Sequence, residues 1–207
     1  MIRHFVLAAF VLAVFPPIGH AEVVLDQSHD AVTGTPGTPG TVMKDTSSPQ
    51  SQTFTVGVTG ILDSIDLQVG NSNPVGDLFL ELLETSGGVP TPSSLGSVTV
   101  DASTFVPGAP AITYVNVPVS HLGIAVETGD VLAIELSTDD SNGYVWRYDL
   151  DGYAGGRNYF RIGDTHGTTI GSLDYGFQTF VTAIPEPGAL VPLLTLVGML
   201  TLRKRQR

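Results

Sequence analysis

Three histidines lie beyond residue 21: His29, His121 and His166. They stand in separate turn-rich stretches, without the spacing of an H-E-x-x-H metal site, and no G-x-S-x-G nucleophile elbow is present. Cysteine is absent, which excludes disulfides, thiol catalysis, Cys-ligated zinc and iron–sulfur clusters. Carboxylates are too plentiful for any two to be singled out as a glycosidase pair. No catalytic residue is assigned, and the chain is expected to be non-enzymatic.

Two acidic turns and one aromatic triplet remain as candidates for binding. Asp139-Asp140-Ser141-Asn142-Gly143 and Asp149-Leu150-Asp151-Gly152 place hard oxygen ligands beside glycines. Calcium takes about six to eight such oxygens, so Asp139, Asp140, Asp149 and Asp151 are candidate ligands; no other cofactor is implied. Neither run is an EF-hand, and the same Asn-Gly and Asp-Gly pairs also make ordinary hairpin turns. Tyr144, Trp146 and Tyr148 alternate, so on a strand they share one face. Their rings are candidate platforms for the C–H faces of a polysaccharide, with Tyr153, Arg157 and Tyr159 nearby in sequence. The competing reading places Trp146 in the core with its N–H satisfied internally.

The elements that would position these residues read as strands. Short β-branched and aromatic runs recur at 52–58, 61–69, 76–84, 95–100, 112–117, 131–137, 143–149, 157–162 and 175–183. Gly, Pro, Asn and Asp separate them, the pattern of a sandwich or barrel. Ile61, Asp63, Ile65, Leu67 and Val69 are expected on one face, and Leu132, Ile134 and Leu136 on another. Residues 77–84 (DLFLELLE) could be helical by spacing, but their shortness and flanking glycines favour a strand. About nine strands over roughly 130 residues predict an all-β, jelly-roll-like antiparallel β-sandwich over 52–183, rather than a seven-strand immunoglobulin layout. Residues 22–51 read as a first strand near Val23–Leu25 and a TPG-rich linker, too short in repeat for collagen.

Composition bounds the partners. With 42% hydrophobic and 14% charged residues the chain can bury a core and is neither a disordered chain nor a coiled coil. All 20 acids lie between Glu22 and Glu186, where the basic residues are Lys44, Arg147, Arg157 and Arg161, a net −16. That excess argues against nucleic acid as a partner. The remaining basic residues sit at the two ends.

Those ends read as addresses. Arg3, the apolar run 5–15 (FVLAAFVLAVF), Pro16-Pro17 and the small residues before Glu22 have the layout of a secretory signal peptide, 1–21, cut between Ala21 and Glu22. At the other end, Pro185-Glu186-Pro187 is a rigid tripeptide. Residues 188–202 carry no charge and would form a membrane helix about 22 Å long. Arg203, Lys204, Arg205 and Arg207 close the chain as a basic stop, which by the positive-inside bias stays cytoplasmic. The body would then lie across the inner membrane.

The segment 184–207 resembles the PEP-CTERM sorting signal of Gram-negative bacteria: Pro-Glu-Pro, an apolar helix, then a basic cluster, in order. Gly188 stands where many members have Ser or Thr. The resemblance implies an exosortase-type processing enzyme as partner and a transient membrane anchor. It further implies a fate in the cell envelope or the exopolysaccharide matrix of a biofilm-forming cell. The body is similar to the choice-of-anchor β-sandwich domains of secreted bacterial proteins, through SQTFTVGVTGILDSIDLQVG, ETSGGVPTPSSLGSVTV, ETGDVLAIELSTDD and DYGFQTFV. That likeness implies a fold and a surface context, with no reaction. The expected role is a structural or adhesive matrix component, and the alternative is a carbohydrate-binding module, with or without calcium.

Overall fold

Alternation between inward apolar and outward polar side chains builds strands, and the computed structural model contains fifteen of them among the residues it describes: 21–31, 40–44, 46, 49–71, 73–106, 114–150, 152–168 and 173–184. In chain order they are β1 (Glu22–His29), β2 (Gly40–Met43), β3 (Gln50–Thr55), β4 (Gly60–Leu67) and β5 (Val69–Gly70). Then come β6 (Leu78–Ser86), β7 (Val89–Val100), β8 (Val115–Pro118), β9 (Ala125–Val126) and β10 (Val131–Thr138). The last are β11 (Tyr144–Leu150), β12 (Asn158–Ile162), β13 (Thr165–Thr168), β14 (Leu173–Tyr175) and β15 (Phe177–Ala183).

The fold is all-β, and every strand pairing is antiparallel. One sheet has the order β1-β15-β4-β8, with β9 also on β4. A second, six-stranded sheet runs β13-β12-β3-β10-β6-β7. A third runs β14-β11-β2, with β5 also on β11. The first and third sheets share two strand paths that bend at Gln68, between β4 and β5, and at Gly176, between β14 and β15. The corner is closed by backbone bonds from Gln68 N to Gly176 O (3.1 Å), Arg147 N to Gln68 O (3.0 Å) and Gly176 N to Arg147 O (2.9 Å). A Cβ at Gly176 would overlap Gln68 Oε1, so only glycine fits there.

The core joins the rows that face one another. Phe54, Leu132, Ile134, Leu136, Leu78, Leu80 and Leu82 come from the six-stranded sheet. Leu62, Ile65, Leu67, Phe177 and Val181 come from the first sheet, and Met43, Tyr144, Trp146 and Tyr175 from the third. Each fully buried large side chain contributes about 1.5–3 kcal/mol.

The inward row of β10 is the expected one. In β4 the phase differs: Leu62 is buried and Ile61 only half-buried. The pairing with β15 skips Asp63, Phe180 facing Ser64 and Val181 facing Leu62, and this bulge turns Ile61 out of the row of Ile65 and Leu67. Residues 78–84 are strand, as the flanking glycines suggest, with Asp77 just before it. β7 starts six residues before the expected 95 and runs through Pro90 and Pro92, which an edge strand tolerates because no outer neighbour needs their N–H.

The division at residue 52 does not hold. Glu22–Ile184 is one unit, in which β1 pairs with β15 and β2, from the expected linker, pairs with β11. The expected signal and tail helices, Pro185, Glu186, Pro187, Arg203, Lys204, Arg205 and Arg207 lie outside the described residues. No helix among the described residues is long and apolar enough to cross a membrane.

Candidate functional site: a covered polar cluster

Tyr144, Trp146 and Tyr148 do share one face of β11, and it is the inward one. Tyr144 and Trp146 are 0% exposed. The indole stacks on Tyr175 at 4.3 Å and 13°, and its N–H donates to Gly176 O at 3.1 Å. The Tyr144 hydroxyl donates to Gly76 O at 2.7 Å, and its ring meets Phe105 edge-on at 4.7 Å. Half-buried Tyr148 lies edge-on to Tyr175. Burial, with the Asp140 charge second, pushes the Tyr144 phenol up to about 12. Tyr144 and Trp146 therefore offer no ring to a sugar; they are core, because the alternating face of β11 that carries them is the one enclosed between sheets.

The first acidic turn is held by internal hydrogen bonds. Asp140 is 0% exposed and both of its oxygens are engaged. Oδ2 accepts from Asn71 Nδ2 (2.9 Å), Val75 N (2.7 Å) and Gly76 N (3.1 Å). Oδ1 accepts from Asn142 N (2.6 Å) and Gly143 N (3.2 Å). Asp139 Oδ1 accepts from Asp77 N at 2.8 Å. One carboxylate pair thus ties the 71–77 loop to the 139–143 turn. Asp149 faces Asp174 near the far end of β11, ~16 Å along the strand from Tyr144, so it does not join them. Asp151 lies outside the described residues. Calcium at Asp140 would have to displace backbone donors from oxygens already filled. Among the described residues no three His, Cys, Asp or Glu side chains are grouped to hold a metal ion.

The histidines do not converge. His29 is buried at the end of β1 with its ring 6.0 Å from Tyr153, and His121 is exposed in the turn Ser120–Leu122. His166 is the one with a charged neighbourhood. Its partners stand on the face of the six-stranded sheet turned away from the core. There Glu81, Glu135 and Ser51 face one another across β6, β10 and β3. Tyr159 faces Ser51 from β12, and Arg161 faces His166 across β12 and β13.

Glu135 is 2% exposed and takes three donors. Its Oε2 accepts from Ser51 Oγ at 2.8 Å and lies 2.8 Å from His166 Nε2, itself on a side chain 2% exposed. Its Oε1 is 3.2 Å from Nη2 of Arg161, whose side chain keeps 28% exposure. An ionised carboxylate only accepts, so the Nε2–H of His166 is the donor. Ser51 and His166 both address the carboxylate rather than each other, so the two do not form a Ser–His pair of the triad kind.

A hairpin covers this cluster. Gly87 and Gly88, at φ +60° and +79°, make the tight turn between β6 and β7 that needs two left-handed residues. Laid flat, the sheet order would put β7 about 24 Å from β13. Instead their Cα atoms approach within 8 Å, and the Tyr159 hydroxyl donates to Gly88 O at 2.9 Å. The sheet curls, and the hairpin end arches over its outer face. Tyr159→Phe removes that latch without changing the ring. It is expected to cost about 1 kcal/mol and to speed amide exchange at residues 86–91 while β10 and β3 keep their protection. Hydrogen exchange read by mass spectrometry checks this, and unchanged exchange in the hairpin would contradict it.

The sequence hint for this cluster was Glu135, a lone acid inside the apolar run VLAIELS. Its partners are 26 and 31 residues downstream and become visible only once the strand register is known.

The expected cut falls at exposed residues: Ala21 precedes β1 and Glu22 begins it. No family model matches the chain, and no curated protein matches it. Among solved structures it is similar to that of the cysteine protease and lectin-like domains of Cwp84, a surface layer associated protein of Clostridium difficile. The identity is 13% and the TM-score 0.47, over 67% of this chain and 32% of that one. The chain thus spans about a third of that structure's length.

Proposed function

We propose that this chain is a non-enzymatic envelope protein, exported by its first 21 residues and sorted through its Pro-Glu-Pro tail by an exosortase-type enzyme. Its jelly-roll-like sandwich then serves as a structural or adhesive component of the extracellular polysaccharide matrix. The observation that carries this reading is where the body begins and ends. Glu22, the expected first mature residue, is the first residue of β1, and it pairs directly with Ala183, the last residue of β15. Pro185 follows only two residues after that pair. Among the described residues, cuts at these two places would remove no strand and no core residue, as a body built to survive processing at both ends requires.

The interior supports a passive role. The residues with the most chemistry on offer, Trp146 and Asp140, are consumed by packing and by backbone donors. Replacing Pro185, Glu186 and Pro187 together by alanine is expected to leave the protein full-length and membrane-bound in a bacterium carrying an exosortase. An immunoblot of envelope and medium reads the outcome. Processing of that variant at the wild-type rate would overturn the sorting assignment.

A further inference from the structure

The body is strongly acidic, yet two of its four basic residues stand close together, Arg157 immediately before β12 and Arg161 within it. Arg157, Tyr159 and Arg161 occupy alternate positions, and by the pleat they share the outer face of the six-stranded sheet. Arg157 is held there by its backbone: Thr53 N donates to Arg157 O at 2.9 Å, and Arg157 N donates to Thr53 Oγ1 at 2.9 Å. It is exposed, and among the described residues it makes no ion pair, although 20 acids surround it in sequence. Arg161 is fixed by the opposite means, its guanidinium drawn onto Glu135 while Ser51 and His166 hold the other carboxylate oxygen. A guanidinium has five N–H donors, so the contact with Glu135 leaves Arg161 with donors facing the solvent that reaches 28% of its side chain.

A buried ion pair brings little stability once desolvation is counted, so stability alone does not account for this cluster. Holding an arginine still does, because less of its rotamer freedom is then lost when it binds. The geometry points to Arg157 and Arg161, about 13 Å apart on either side of the Tyr159 latch, as a binding site for an acidic polysaccharide, whose carboxylate or sulfate groups the two guanidinium groups take. Planar, two-donor recognition of such groups is what guanidinium does best. The net charge of −16 between Glu22 and Glu186 repels a polyanion at long range, but that repulsion is screened beyond roughly 8–10 Å in physiological salt, leaving the local arginines to act.

This deepens the matrix reading and rests on it for the choice of ligand, while its test needs no tail processing. Full-length protein in detergent is titrated with polygalacturonate, dextran sulfate and neutral dextran, alongside Arg157→Gln and Arg161→Gln. The basic tail is common to all three proteins, so the differences between them carry the result. Wild type should bind polygalacturonate, dextran sulfate or both, and dextran not at all; the two acidic polymers separate carboxylate from sulfate recognition. Arg157→Gln, at an exposed position, should weaken binding about tenfold with an unchanged unfolding midpoint. Equal binding by Arg157→Gln and wild type would overturn the assignment, as would equal affinity for dextran or no binding to either acidic polymer. A concentration-dependent dimer lost in Arg157→Gln without any polymer would also overturn it, making β12 a contact between copies. Failure here leaves sorting of the tail untouched, and failure of sorting leaves this binding untouched.

Discussion

Trp146→Ala is expected to destabilise the protein by about 3–5 kcal/mol, enough to unfold much of a marginally stable domain. The substitution removes the largest fully buried side chain, its stacking on Tyr175, and the N–H bond to Gly176 O at the corner where two sheets meet. Trp146→Phe keeps most of the apolar volume and loses the hydrogen bond, leaving the Gly176 carbonyl without that donor. Its expected cost is smaller, about 1–3 kcal/mol. Urea unfolding followed by far-ultraviolet circular dichroism separates the two variants. An exposed sugar platform would behave differently: Trp146→Ala would leave the unfolding midpoint where it was.

Asp140→Ala carries the second large effect. It leaves four backbone N–H groups and the Asn71 amide without their acceptor, the bonds from Asn71 and Gly143 being buried and the other three part-buried. The expected cost is about 3 kcal/mol or more, because each buried donor left unpaired costs about 1–3 kcal/mol when it cannot relax. The same geometry gives a pH dependence. Burial alone would raise the Asp140 pKa, but the N–H groups of Val75, Gly76, Asn142 and Gly143 together bring it below the usual 3.8. A carboxylate whose folded pKa is depressed stabilises the fold above its unfolded value, and that stability is lost as pH falls through the folded one. Wild type should therefore lose stability below about pH 4. Asp140→Asn, less stable at neutral pH, should lose less over the same interval. Unfolding midpoints at pH 3 and pH 7 check this, and identical pH slopes for the two proteins would contradict it.

Alternation carried most of the fold into the sequence. Leu132, Ile134 and Leu136 announce β10 because their face packs on an opposing layer, and no other element competes for that period. What stayed hidden depends on partners rather than on local pattern. β2 is only four residues long, and β11 beside it supplies the pairing that makes it a strand. The shift at Asp63 is a property of the β4–β15 pairing, so no reading of β4 alone could reveal it. Trp146 shows the limit at a site: alternation placed Tyr144, Trp146 and Tyr148 on one face, but period two does not say which face is inward. Arg147, half-buried on the other side of β11, was the available hint. The charged cluster was the least legible. Ser51, Glu135, Arg161 and His166 come from four strands, and only the curl of the sheet under the β6–β7 hairpin brings a cover over them.

The central claim concerns both ends of the body, and mass spectrometry of the termini tests it most directly. The protein is recovered from the envelope and medium of an exosortase-bearing host, and its first and last peptides are sequenced. The account predicts a first residue of Glu22, and a C-terminal peptide that reaches Ile184 but lacks Arg203 to Arg207. Recovery of chains that begin at Met1, or that still end at Arg207, as the main extracellular species would contradict it.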